Sequence, residues 1–486
     1  MERSWRERLG GSKQRVATID AARTSPPPSV LAPVDLTDPT QVAAVMMIGA
    51  RIGEILIANG TTSSDAIAQI RTVTSSYGLH YCHVDITVNT ITINAVIGSE
   101  ERTPVTVFRV VTMMSENYHK LQEADRLIRS IRAGATRPEL AEKILDEIDR
   151  SPIPYRNTRY LAGWAVMGAA VSILLGGDWL MALIGGITAF LIMGFNKVLS
   201  HNDLPYFFHC VLGGFLATIP AAIFYDFSAS IGHTIVPSQV IASGIVVLLA
   251  GLTLVQSLLD GITGSPVTAS ARFFQTLLNT GGIVAGVAMG IFFSEQLGVH
   301  LPPIETMMAK PSLDSVVFRI LGSAFAAGGF AVTCFAEKAA IFLSFVTAAT
   351  GAAIYYLFFI PFGTDRFMAT AACATVVGLA GGLIARRYLI SPVITAVAGV
   401  TPFLPGSGIY RGMYAVINEQ MVVGMDNLFS AIATCMALAG GVVFGEWLAR
   451  RLRAPQHYLP YRAFKRVGRV TFEQIRRAER QRRKKR

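Results

Sequence analysis

The chain has 486 residues, of which 52% are hydrophobic and only 15% charged, and its mean hydropathy is +0.46. A soluble domain of this length cannot bury so large an apolar share, which excludes an ordinary cytosolic enzyme and indicates an integral membrane protein. The net charge of +11 comes from the C-terminal tail, where Arg450–Arg486 carries 15 Lys or Arg against only Glu473 and Glu479.

Residues 1–39 are charged and Pro-rich with no apolar core, so they are neither a signal peptide nor a span and are expected as a disordered cytoplasmic tail. Thr40–Asn59 has apolar residues at helical spacing and stops at Gly60. A second helix is expected over Ser64–Tyr77, with its N-cap in Ser63/Ser64-Asp65 and its end at Gly78. His80–Ile97 alternates and is rich in Ile, Val and Thr, the pattern of strands with Asn89-Thr90 near a turn, and Val105–Val111 adds another. Helices over Asn117–Ala133 and Arg137–Asp149 follow, and Ser151-Pro-Ile-Pro154 marks a boundary. Residues 40–152 are therefore expected as a small cytoplasmic α+β domain.

Ten apolar segments follow, beginning near Tyr160, Trp179, Tyr206, Val240, Leu277, Phe318, Ala339, Phe367, Pro392 and Leu428. Each approaches the roughly 20 residues needed to cross about 30 Å of hydrocarbon, and each should be helical because lipid leaves no partner for strand backbone. They fall into two sets of five, residues 153–298 and 316–450. Within the sets Gly251, Thr253, Phe274, Gly286, Val287 and Gly290 correspond to Gly399, Thr401, Phe429, Gly441, Val442 and Gly445, with a seven-residue insertion in the second copy. An odd number of spans makes the second copy enter the bilayer from the opposite side, giving inverted repeats. The expected inner loops carry Lys197, Arg272, Lys338, Arg386 and Arg387, besides Arg156 and Arg159. The outer ones carry Lys310, Arg319, Arg366 and Arg411. This bias places both termini in the cytoplasm. The basic tail, residues 451–486, then reads as a binder of anionic lipid rather than of nucleic acid.

Polar groups inside apolar spans are functional candidates by default. The first copy supplies Asp260, Arg272, Gln275 and Asn279, and the second Thr401, Arg411, Asn418 and Asp426. Gly261 and Gly264-Ser265-Pro266 in one copy, with Pro402 and Pro405-Gly406-Ser407-Gly408 in the other, are helix breakers. A broken helix offers free backbone donors and carbonyls at mid-membrane; the competing reading is a pair of ordinary surface loops. Asn196-Lys197 with His201-Asn202-Asp203 reads as a solvated inner loop. Strand alternation puts His83 and Asp85 on one face, near His80 and with His119 further on. A polar edge strand accounts for them, so no metal or cofactor site is assigned. Cys82, Cys210, Cys334, Cys373 and Cys435 are isolated, without disulfide or metal spacing. There is no G-x-x-x-x-G-K-[ST] loop for ATP.

The segment YGLHYCHVDITVNTITI, then GFNKVLSHNDLPYFFHCVLGGFLAT, then the second copy's PFLPGSGIYRGMYAVI, resembles the threonine/serine exporter family of bacterial inner-membrane proteins over about residues 40–450. The resemblance implies ten transmembrane helices from a duplicated unit, efflux of threonine and serine, and coupling to protons. The second copy carries the L-P-G run Leu404-Pro405-Gly406, whereas the first copy reads Val255-Gln256-Ser257. On this reading Asp260 carries the proton. The substrate is bound by Asp260, Gly261, Thr263, Ser265 and Asn279 with Thr401, Pro402, Pro405, Gly406, Ser407, Tyr410 and Arg411. A homo-oligomer is left open. The rival readings are a membrane-anchored hydrolase using His83 and Asp85 on a peptide or amide, a passive small-solute channel, and a lipid-binding scaffold.

Overall fold

The computed structural model describes residues 38–452 except 98–102, 113–115, 152–154, 156, 201–203, 232–234, 249, 300, 302–315, 389–391 and 418. The expected tails 1–37 and 453–486, the Ser151–Pro154 boundary from Pro152 on, His201–Asp203 and Asn418 lie outside the described residues.

Helix α1 (Pro39–Ala58) starts at Asp38, whose side chain accepts from Thr40 N, with Pro39 in the first turn, where a missing N–H costs nothing. Helix α2 spans Ser63–Ser76, capped by the Thr62 hydroxyl on Asp65 N. Strands β1 (Cys82–Thr87), β2 (Thr90–Ile97) and β3 (Thr103–Val110) form an antiparallel sheet in that order. Period-2 alternation buries Val84, Ile86, Ile91, Ile93 and Val107 on one face, against α1, which packs on β2 and β3. Helices α3 (Tyr118–Arg132) and α4 (Pro138–Arg150) complete this part. Arg51 of α1 pairs with Asp146 and Asp149 of α4, and Glu54 with Arg109 of β3.

The remaining helices are α5 (Asn157–Leu174), α6 (Trp179–Leu199), α7 (Tyr206–Ile231), α8 (Pro237–Val246), α9 (Ala250–Ile262), α10 (Pro266–Gln296), α11 (Val316–Thr333), α12 (Lys338–Ile354), α13 (Arg366–Tyr388), α14 (Pro392–Val400), α15 (Gly406–Ile417) and α16 (Met421–Leu452). Among the described residues eight helices are long and apolar enough to cross a membrane, or nine if α8 and α9, bent by 51°, count as one span. This multi-pass architecture differs from the expected ten spans in four places, one of them the bend between α8 and α9. The first expected span, α5, is shortened as an apolar helix by its polar opening Asn157-Thr-Arg-Tyr160. The ninth is divided into α14, a 3-10 turn (Thr401–Phe403) and α15. One of the eight is α1, which packs on the sheet.

The two sets of helices share a packing pattern. In the first, α10 lies on α7 and α9 on α10; in the second, α16 lies on α13 and α15 on α16. The duplicated glycines explain it. A Cβ on Gly286 would sit 1.9 Å from Val211 O, and one on Gly290 2.7 Å from Thr218 Cβ, both on α7. On Gly441 and Gly445 it would sit 2.4 Å from Ala371 O and 2.2 Å from Thr375 O, both on α13. Each pair is a small-xxx-small contact that lets two backbones touch. One buried apolar core runs from Val42 and Ile52 of α1 through Tyr118 to Trp164, Val287 and Phe330, so the amino-terminal part and the membrane helices are packed together.

Candidate functional site

Asp260 lies near the end of α9, in the turn where α9 gives way to α10. Gly264, at φ +96°, adopts the left-handed conformation that closes α9. Gly264 N donates to Gly261 O and Ser265 N to Asp260 O, a Schellman end, and Pro266 then opens α10. The Gly261–Pro266 breakers therefore make a tight hairpin turn rather than a mid-span break, which corrects the expectation for Gly261, Thr263 and Ser265. Gly261 is exposed, and the Thr263 hydroxyl bonds back to Leu259 O at 2.8 Å.

The Asp260 carboxylate is fully buried. Its Oδ2 is 2.8 Å from Arg272 Nη1 on α10, and its Oδ1 accepts from Ser63 N at 3.0 Å. Ser63 is the first residue of α2, so an amino-terminal helix directs its positive end at a membrane-helix carboxylate. The Ser63 hydroxyl and Thr61 Oγ1 are both buried without a hydrogen-bond partner. A second contact lies close by: Val88 N, in the β1–β2 turn, donates to Thr268 Oγ1 of α10 at 3.0 Å. Val88 has φ +57°, a position where a β-branched residue is strained.

The break within the first set lies upstream, between α8 and α9, where Tyr206 OH donates to Leu248 O at 3.4 Å. The second copy breaks where expected: α14 ends in the 3-10 turn, Leu404 is extended, and α15 begins at Gly406. The two breaks meet. A Cβ on Gly251 would lie 3.2 Å from Leu404 Cβ and 3.3 Å from Gly406 N. Thr401 and Arg411 are buried here, Pro405 is buried and Pro402 and Gly406 are half-buried. Thr401 Oγ1 bonds to Val397 O at 3.0 Å. On the first copy's side Thr276 Oγ1 donates to Thr253 Oγ1 at 3.0 Å, and Asn279 is half-buried on α10. The side chains of Ser407 and Tyr410 lie outside the description. Helix rise puts Asp260 about 13 Å from Gly251 along α9, so the candidate residues form two groups, one at the crossing of the breaks and one at the hairpin turn.

Three features escaped the sequence reading. Ser63 and Val88 touch the hairpin through backbone N–H groups, for which residue type gives no signal. His209 is buried in α7, its ring 6.0 Å from that of Tyr206; an ionisable group in an apolar span was the available clue. Glu116 reaches Cys334 at the end of α11, with Sγ to Oε2 at 3.6 Å, while Tyr118 N donates to Cys334 O at 2.7 Å. Burial pushes the Glu116 carboxyl up to about 7, opposed by the Cys334 thiol. His83 and Asp85 stand on the exposed face of edge strand β1. Among the described residues no third ligand joins them at metal spacing.

Residues 48–294 match the family model described as "Putative threonine/serine exporter", and residues 319–448 the model described as "Threonine/Serine exporter, ThrE". The chain is 56% identical over 460 residues to a Corynebacterium glutamicum protein named "Threonine/serine exporter", covering 95% of this chain and 94% of that one. It is 32% identical over 424 residues to a Mycobacterium tuberculosis protein named "Probable threonine/serine exporter", covering 86% of this chain and 78% of that one. No solved structure matches. Matched across both sets of helices by family models and over nearly its whole length by a relative, the chain is a member of the threonine/serine exporter family.

Proposed function

We propose that this protein exports threonine and serine across the cytoplasmic membrane, driven by the proton gradient, with both termini in the cytoplasm. Two inverted five-helix units would alternate access around the crossing of their broken helices. Kinship with chains named for threonine and serine export supports the substrate class. The shared packing of α7 on α10 and α13 on α16 supports the repeat.

The observation that carries the coupling step is the position of Asp260. Its carboxylate holds Arg272 and the first N–H of α2 together, so one proton on it weakens both links at once. Protonation removes the charge that attracts the guanidinium and the helix end, and frees the α9–α10 hairpin from the amino-terminal part. Ions taken from water into a low-dielectric site gain little net stability even when paired. A fully buried carboxylate paired with a half-buried arginine at a joint between two parts is therefore better explained by a titrating role than by a stabilising one.

The test is efflux from cells loaded with threonine as a dipeptide, with and without a protonophore. Export should be protein-dependent and should collapse with the protonophore. Asp260→Asn should export slowly and lose its pH dependence. Wild-type rate and pH profile in that variant would remove Asp260 from the mechanism, and efflux indifferent to the protonophore would mean a channel.

A further inference from the structure

A second polar cluster joins α3 to the start of α12. His119 and Glu123 are one turn apart on α3 and so share a face, and Glu337 approaches from the residue before α12. One ligand atom from each lies within 4.8 Å of the others, and all three residues are half-buried. Arg126 binds both carboxylates, Nη1 at 2.5 Å from Glu123 Oε1 and Nη2 at 2.8 Å from Glu337 Oε1. Gln122 Nε2 is 3.1 Å from Glu337 Oε2.

An arginine between two glutamates accounts for their closeness, but three observations exceed an ion-pair network. Glu337 occupies the N-cap of α12 and makes no capping bond; its carboxylate turns to α3 instead. Among the described residues no hydrogen bond or ion pair engages the His119 ring, which stands beside two carboxylates. Gln122 is 1% exposed and its Oε1 is buried without a partner, a loss of about 1–3 kcal/mol, on the very amide that touches Glu337. Turning that amide by 180° exchanges its oxygen and nitrogen. A carbonyl oxygen in that place repels Glu337 unless a cation lies between them, and then it is a further ligand.

We propose that His119, Glu123 and Glu337, with Gln122 Oε1, bind a divalent transition-metal cation that fastens α3 to the start of α12. One imidazole nitrogen with carboxylate and carbonyl oxygens suits Zn2+ or Mn2+. Arg126 acts from the outer shell, orienting both carboxylates while leaving each a free lone pair. Two carboxylates and one guanidinium leave a net negative charge for the cation to meet. The site stands apart from Asp260 and does not depend on what the chain exports.

The full-length protein in detergent is stripped with EDTA and titrated with Zn2+ and with Mn2+. About one ion per chain is expected by elemental analysis, with a rise in the unfolding midpoint. His119→Gln and Glu337→Gln should lose that ion, and Gln122→Leu should weaken its binding roughly 10–100-fold. Co2+ added to the stripped wild type needs no variant: a visible d–d spectrum that saturates with the chain and is displaced by Zn2+ is expected. No saturable Co2+ spectrum, or an unfolding midpoint equal in EDTA and in both ions, overturns the proposal.

Discussion

Asp260 and Arg272 illustrate how a buried pair divides into its parts. Removing one partner of such a pair leaves an uncompensated charge and costs about 3–5 kcal/mol, whereas removing both is often near neutral. Arg272→Met alone should therefore lower the unfolding midpoint in detergent, and adding Asp260→Asn should restore most of the loss while leaving export impaired. Equal destabilisation in the single and double variants would mean the two do not share an energetic contact. Glu116 makes a pH prediction of definite sign. Its ordinary value of 4.5 rises to about 7 in the folded chain, so between these the folded state holds a proton that the unfolded state has released. Stability is then greatest below pH 4.5 and falls by up to about 3 kcal/mol as pH rises through 7, less where water reaches the half-buried carboxyl. Glu116→Gln should flatten this slope between pH 5 and pH 8 in thermal unfolding. Asp260 was legible in the sequence because a carboxylate in an apolar helix is rare. Glu116 was not, because one glutamate in a loop carries no mark of the tertiary enclosure that shifts it.

Helix contacts turn on which face a glycine occupies, and neighbouring glycines give the cleanest test. A Cβ on Gly441 would sit 2.4 Å from Ala371 O, while one on Gly440 would meet nothing within 4 Å. Gly441→Ala should push α16 off α13 at a cost of about 1–3 kcal/mol. Gly440→Ala should be neutral or gain up to about 1 kcal/mol from helix propensity. The readout is the fraction of each variant still monodisperse after heating, and equal losses would show that these close contacts do not hold α16 in place. The paired glycines were visible in the sequence as an echo between the two copies. Their partners were not, since Val211 and Ala371 contribute backbone oxygens that any residue possesses. The same limit explains the misplaced first break. Gly261 and Gly264-Ser265-Pro266 are as disruptive as the second copy's Pro405-Gly406, but composition does not distinguish a hairpin turn from a kink within a span. Only the left-handed Gly264 and the Ser265 N to Asp260 O bond decide it.

At the scale of the molecule, the amino-terminal part meets the helices at two places the sequence assigned to the same side. Ser63 and Val88 hold the turn between α9 and α10, and Gln122, Arg126 and Tyr118 hold the segment between α11 and α12. If the charge on Asp260 governs the first of these, transport requires that contact to open while the second stays anchored. Cysteines at positions 88 and 268 test this directly, because Val88 N and Thr268 Oγ1 are 3.0 Å apart and a short thiol cross-linker spans the neighbouring side chains. Of the native cysteines, four are buried and only Cys82 is partly exposed, so Cys82→Ser gives a suitable background. A reducible cross-link should stop threonine efflux and reduction should restore it, whereas the same reagent on either single variant should leave efflux unchanged. Efflux that continues in the fully cross-linked protein would mean the amino-terminal part stays docked throughout. The proton on Asp260 would then have to act within the α9–α10 hairpin alone, through Arg272, rather than by releasing α2.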